Sequence, residues 1–147
     1  MHKLRAAHDA ILVGTRTALF DNPSLNVRCW AGRAPLRVVV DRNGVLPAGL
    51  SLFDGAVPTL LFTGKYVASF GKNIEQIVLD PSKDTLCQIV ETLYSRGVGS
   101  LLVEGGAALL QSFIDAGLWD SIRVETNPSI VAGEGIAAPE LPDCVKV

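Results

Sequence analysis

Long hydrophobic runs are missing from this chain. No apolar stretch approaches the roughly 20 residues needed to span a bilayer, and the N-terminus lacks the apolar core of a secretory signal. A membrane-spanning helix is excluded, and the cytoplasm is the expected compartment. Charge of one sign is missing too: 13 Lys and Arg are interspersed with 15 Asp and Glu. That balance leaves no electrostatic footprint for nucleic acid or an anionic membrane, so any phosphate must be held by local groups. Cysteine is scarce. Cys29, Cys87 and Cys144 are odd in number and widely spaced, with no C-x-x-C pair and no partner at zinc-ligand spacing, so no metal site is expected. All three read as reduced thiols, and Cys87, inside a helical apolar pattern, reads as core. His2 and His8 flank the first helix without a Ser or Cys nucleophile motif, which leaves no catalytic triad. His8 reads as ending structure rather than binding metal. Repeats and low-complexity segments are absent as well.

What is present is the composition of one globular domain over residues 1–147, 48% hydrophobic and 19% charged. Strand-like and helix-like segments alternate, which predicts an α/β fold with a mostly parallel sheet. The strands expected are Ala10 to Gly14, Leu36 to Asp41, Thr59 to Thr63, Ile77 to Leu79 and Ser100 to Val103, with an extended stretch from Ser121 to Glu125 and again from Ser129 to Val131. Leu4 to Ala7 reads as the tail of a helix. Thr15 to Asp21 reads as a short helix stopped by Asn22-Pro23, because proline disfavours helical backbone in the residue before it. Thr15 or Thr17 is a candidate N-cap. Asn43-Gly44 marks a turn. Leu86, Ile89, Val90, Leu93 and Tyr94 fall on one helix face ended by Gly97, and Leu109, Leu110, Phe113 and Ile114 on another ended by Gly117.

The most informative segment is Glu104-Gly105-Gly106, where a strand ends and a helix begins. The first N–H groups of a helix lack intrahelical partners, the dipole favours negative charge there, and glycine lets backbone approach a ligand closely. The junction therefore offers an anion cradle beside a carboxylate, or else only a tight connection. The Gly14 to Arg28 segment also leaves a strand at the carboxyl edge, where ligands collect in open α/β sheets. It carries Thr15, Thr17, Asp21, Asn22, Asn26 and Arg28, with Arg5 just upstream. Arginine's planar donor fork suits phosphate, so Arg5 and Arg28 are candidate clamps, against the plain reading of each as a solvated charge. Gly133-Glu134-Gly135 superficially fits a dinucleotide fingerprint, but Pro139 and Pro142 interrupt any following helix, so it reads as a surface loop.

The blocks Leu4-Arg5-Ala6, Asp9-Ala10-Ile11-Leu12-Val13-Gly14, Thr17 and Asp21-Asn22-Pro23-Ser24-Leu25-Asn26-Val27-Arg28 together resemble the reductase domain of the bifunctional riboflavin-biosynthesis deaminase-reductase family. Pro35 to Asp41 and Leu102-Val103-Glu104-Gly105-Gly106 fit the same family in order and spacing. The resemblance implies a dihydrofolate-reductase-like α/β fold and NADPH-dependent reduction of the ribosyl group of 5-amino-6-(5-phosphoribosylamino)uracil to a ribityl chain. It implies cofactor contacts at Thr17, Asp21, Arg42, Gly105, Gly106, Ala107, Ala108 and Leu109. Substrate contacts fall at Arg5, Leu25, Arg28 and Glu104, and proton management is assigned to Asp21 and Glu104. Arg42 is a candidate partner for the NADPH 2′-phosphate.

Relative to the family, the first strand with its S-L-D-G type turn and the closing strands are expected to lie outside this chain. No deaminase zinc signature occurs. A homodimer is expected from the sheet edges this leaves. The alternatives are a dihydrofolate-reductase-like oxidoreductase with another substrate, which turnover tests separate, and a non-catalytic nucleotide-binding domain, in which Asp21 and Glu104 could be replaced without consequence.

Overall fold

Five residues with no polar face, Ala10–Gly14, form β1, and Ala10 through Val13 are fully buried, as a strand covered on both faces requires. The computed structural model describes residues 1–67, 70–127, 129, 135–143 and 145. In chain order the elements are α1 (His2–Ala6), β1, α2 (Thr15–Asp21), β2 (Leu36–Asp41), a 3-10 turn at Ser51–Phe53, β3 (Thr59–Thr63), β4 (Ile74–Val78), α3 (Thr85–Ser95), β5 (Leu101–Gly105) and α4 (Ala107–Asp115). The sheet runs β4-β3-β2-β1-β5 and every pairing is parallel. This is the expected α/β architecture. The chain divides into two compact units, Met1–Gly105 and Gly106–Val147, so the whole sheet lies in the first and α4 in the second.

Within the first unit, Ile11, Val13, Val39 and Leu61 cluster with Ala18 of α2 and with Leu25, Leu46, Leu52 and Phe53 from the loops. Leu25 takes a left-handed backbone, φ 46°, while only 1% exposed. That conformation costs roughly 1–2 kcal/mol for a residue with a β-carbon, and full burial of a leucine returns about 2 kcal/mol. The core therefore holds the loop's shape. The neighbouring Asn22 ends α2 at φ 40°, and its Oδ1 accepts the Ser51 N–H at 2.7 Å. Asn22-Pro23 stops the helix as its sequence predicts, by way of a left-handed residue.

Three expectations change. β4 begins at Ile74 rather than Ile77, because an edge strand tolerates polar residues such as Glu75 and Gln76. The Gln76 amide then stands in for a missing neighbour, accepting from the Val67 N–H at 2.9 Å and donating to the Val67 carbonyl at 2.7 Å. Cys87 and Tyr94 are exposed, not core. They lie seven residues apart on one flank of α3, about 100° from the buried stripe of Leu86, Ile89 and Leu93. The segment from Ser121 to Glu125 is not in a strand. The second expected stretch, Ser129 to Val131, includes Ile130 and Val131, which lie outside the described residues; so do Cys144 and the Gly133-Glu134 pair.

Gly97 and Gly117 end their helices as read, at φ 76° and 66°. Leu93 and Phe113 carbonyls accept from Val98 and Leu118, the hydrogen-bond closure that a left-handed glycine permits. His8 likewise closes α1, its Nδ1 lying 2.7 Å from the Leu4 carbonyl.

Candidate functional site

The parallel sheet brings the ends of β1, β2, β3 and β5 to one edge. Gly14, Asp41, Thr63 and Gly105 are the last residues of these strands. Along β5 the register against β1 runs Ala10 with Leu101, Ile11 with Leu102 and Leu12 with Val103, and then skips to Val13 with Gly105. Glu104 is the residue left over. A bulge bends its strand and re-aims the extra side chain, which is why bulges gather beside functional sites. The entry to β5 is fixed from below: the Asp9 carboxylate accepts from the Ser100 hydroxyl and the Gly99 N–H, each at 3.0 Å. Those two donors hold the Asp9 carboxyl below the usual carboxylate range.

Glu104 meets Arg5. Arg5 Nε donates to Oε1 at 2.7 Å and Nη2 to Oε2 at 2.6 Å, a two-bond fork whose side chains are 16% and 11% exposed. A bidentate pair of this kind fixes direction as well as charge. The third nitrogen, Nη1, donates to the Asn26 carbonyl at 3.3 Å, and the His2 ring lies 3.1 Å from the same oxygen. Asn26 follows Leu25, so the buried leucine sets the carbonyl that steadies the arginine. The Leu25 side chain belongs to the core, which leaves only its backbone for contact with a substrate. Arg28 is exposed at the far end of the same loop, and Asp21 is exposed at the end of α2.

Thr17 lies against Gly105. A β-carbon built on Gly105 would stand 3.1 Å from both Thr17 Cγ2 and Oγ1, so the threonine side chain would have to give way to any larger residue there. The N-cap of α2 is Gly14, without a side-chain bond, and the Thr15 hydroxyl instead donates to the Val40 carbonyl at 2.7 Å. Neither threonine is the cap that the sequence suggested. In the second unit, Gly106 caps α4 at φ 34° with no side-chain cap bond, and Ala107, Ala108 and Leu109 form the first turn.

Farther along the edge a cavity of about 420 Å³ opens beyond β2 and β3, lined by Arg42, Gly64, Asp80, Lys83 and Thr85 among others. Arg42 is exposed. The cavity's one acid, Asp80, accepts from the Ser82 hydroxyl and N–H at 2.6 and 2.9 Å, while Asp84, outside the lining, caps α3 by accepting the Cys87 N–H at 2.8 Å. Both carboxyls are held below their usual range, Asp80 chiefly by the Ser82 hydroxyl and Asp84 by the Cys87 N–H. Sequence reasoning named Arg42 but missed Lys83 and Gly64, which carry no local motif. It missed the Arg5 to Glu104 pairing for the same reason, the partners being 99 residues apart. No group of three or more metal-binding side chains occurs among the described residues.

The sequence profile of the RibD C-terminal domain matches residues 1–143. A 2,5-diamino-6-ribosylamino-4(3H)-pyrimidinone 5′-phosphate reductase from Methanothermobacter thermautotrophicus is 32% identical, over 100% of this chain and 75% of its own length. A riboflavin biosynthesis protein RibD from Bacillus amyloliquefaciens is 34% identical over 88% of this chain, which spans only 37% of that protein. Among solved structures, a deaminase/5-amino-6-(5-phosphoribosylamino)uracil reductase from Thermotoga maritima superposes with a TM-score of 0.70 at 36% identity, over 78% of this chain and 32% of that one.

Proposed function

The chain belongs to the RibD C-terminal domain family, and we propose that it is an NADPH-dependent reductase that converts the ribosyl group of 5-amino-6-(5-phosphoribosylamino)uracil to a ribityl chain in riboflavin biosynthesis. Its dihydrofolate-reductase-like α/β fold is that of the solved reductases it matches. The observation that carries the reading is the Arg5 fork, a cation aimed by a bulged carboxylate at the sheet's carboxyl edge.

The substrate's opened aminosugar presents an electrophilic imine carbon. A bound nicotinamide cofactor supplies the hydride that this carbon accepts, and a proton must then be available for the adjoining nitrogen. The chain's own task is placement and charge. Arg5 has N–H donors beyond those given to Glu104 and Asn26, and they serve the substrate's phosphate or hydroxyls. Arg28 is a second, freer clamp on the anion. Glu104 acts chiefly through Arg5, since both of its oxygens accept from it. Asp21, exposed and unburdened by any such fork, is the better candidate for proton handling.

The residues fit NADPH. Arg42 and Lys83 border the cavity, two cations against the single carboxylate of Asp80, a balance that suits a phosphomonoester. Thr17 and Gly105 would meet the cofactor in the first unit. The first turn of α4, Ala107, Ala108 and Leu109, supplies helix N-terminal N–H groups suited to phosphate. We extend the reading to a cytoplasmic homodimer, supported by the two sheet edges, β4 and β5, that are unpaired among the described residues.

The test is NADPH oxidation by the purified chain with two substrates, the uracil compound and the 2,5-diamino-pyrimidinone for which the Methanothermobacter relative is named. Turnover of one and not the other settles the ring. No oxidation with either, in a folded sample, would sink the proposal.

A further inference from the structure

We propose that Gly64 is the positioning residue behind this chain's cofactor preference, because it pins the turn that presents Arg42. The inference rests on the reading of Arg42 as the contact for the cofactor's 2′-phosphate. In the parallel register Asp41 of β2 lies beside Thr63 of β3, so the next residues on each strand, Arg42 and Gly64, emerge together at the cavity. There the Gly64 N–H donates to the Arg42 carbonyl at 3.1 Å. A β-carbon on Gly64 would stand 2.3 Å from that carbonyl oxygen and 3.4 Å from its carbon.

Both atoms are backbone, so they cannot swing aside as a side chain would. Gly64 is not in the left-handed region, unlike Gly44 at φ 62° or Gly97 at φ 76°, so its dihedrals do not call for glycine. The close approach to Arg42 is the reason that remains. The other side of the turn is held equally firmly. The Gly44 N–H donates to the Asp41 carbonyl at 3.0 Å, and the buried Asp41 carboxylate accepts the Leu46 N–H at 2.8 Å. Arg42 thus has a fixed backbone and an exposed guanidinium. Lys83 lines the same cavity and is only loosely engaged, 3.8 Å from Asp80. A dianionic phosphomonoester gains from both cations, whereas the hydroxyl that replaces it in NADH gains from neither. Any side chain at position 64 displaces the Arg42 peptide and so should act on that difference alone.

The experiment is equilibrium titration of NADP⁺ and NAD⁺ into the wild type, Gly64→Ala and Arg42→Ala, with thermal melts to establish folding. In Gly64→Ala, NADP⁺ affinity is expected to fall about tenfold or more, roughly 1.4 kcal/mol, with NAD⁺ binding unchanged, so that its preference collapses toward that of Arg42→Ala. The proposal is overturned if Gly64→Ala keeps its NADP⁺ affinity while Arg42→Ala loses it, or if Gly64→Ala weakens both cofactors equally. A wild type that does not prefer NADP⁺, or an Arg42→Ala that keeps the preference, overturns the Arg42 reading instead and removes the ground for the Gly64 role. Should Gly64→Ala fail to fold, the wild type is titrated with 2′-AMP and 5′-AMP by NMR. The Gly64 amide is expected to shift with 2′-AMP and not with 5′-AMP. A Gly64 signal that stays still while the Arg42 Nε moves refutes the coupling.

Discussion

Arg5 and Arg42 are held in opposite ways. Arg5 is fixed through its side chain, two bonds to Glu104 and one to the Asn26 carbonyl, and its guanidinium is largely enclosed. Arg42 is fixed through its backbone, by the Gly64 N–H and the Asp41 turn, and its guanidinium is exposed. The first arrangement spends most of the donor capacity on aim, which suits a group that must meet one substrate in one pose. The second leaves the donors unspent over a fixed hinge point, which suits a group that grips a terminal phosphate. Arg37 marks a third extreme. It is fully buried, bonded to the Leu52 carbonyl and the Asp54 carboxylate at 3.2 and 2.7 Å, and its work is to hold the Leu52 to Asp54 loop against the sheet.

The hardest blow to this contrast is Glu104→Ala. It leaves Arg5 largely buried without its partner, and removing one member of a buried pair costs about 3 kcal/mol. Misplacement of Arg5 is expected to lower kcat/KM about a hundredfold, as small displacements of positioning groups do. Denaturant melts and steady-state rates check both; a variant with normal rates would show that Arg5 needs no aiming. Leu25→Ala tests the same arginine from beneath. Truncation of this buried leucine should cost about 3 kcal/mol and, by loosening the Asn26 carbonyl, reduce turnover of the phosphoribosyl substrate more than NADP⁺ binding. Equal loss of both would mean that the loop serves the fold only.

Arg42→Ala should behave differently. Surface truncation away from packed groups leaves stability within about 0.5 kcal/mol, while KM for NADPH rises about tenfold or more and KM for NADH stays put. A large drop in melting temperature would place Arg42 beside Arg5 after all. The smallest effect is expected from Asp54→Asn, which probes Arg37. The hydrogen bond from Arg37 holds the Asp54 carboxyl below its usual value. Its contribution to stability is therefore fully present above about pH 4, the unfolded value, and is lost as pH falls through the lowered folded value. Asp54 is substantially exposed, so the asparagine variant should only flatten the acid limb of stability against pH, with no change in turnover at neutral pH.

The fold was legible where a single physical rule dominated. Ala10–Gly14, Thr15–Asp21, Leu36–Asp41 and Thr59–Thr63 stand where their sequence placed them, because continuous apolar runs and an Asn-Pro stop leave little competition. β4 was only partly legible, since an edge strand needs one apolar face and borrows its other neighbour from a loop. Cys87 and Tyr94 misled because a short apolar pattern does not say which flank of a helix turns outward. At the site, Arg5, Thr17, Asp21, Leu25, Arg28, Arg42 and Glu104 were named from motif positions. Their partnerships were not, because the fork, the Asn26 carbonyl and the Gly64 contact join residues that only the sheet brings together.

The surplus residue in β5 makes the strand's length part of the chemistry. Ordinary substitution at Glu104 changes a side chain and leaves its neighbours alone. Deleting that one residue would put β5 back in step with β1 and leave Gly105 opposite Val13, where it already stands. A single lost codon would therefore remove the carboxylate and the bend in its strand together. Drift can adjust this corner of the enzyme only in whole residues.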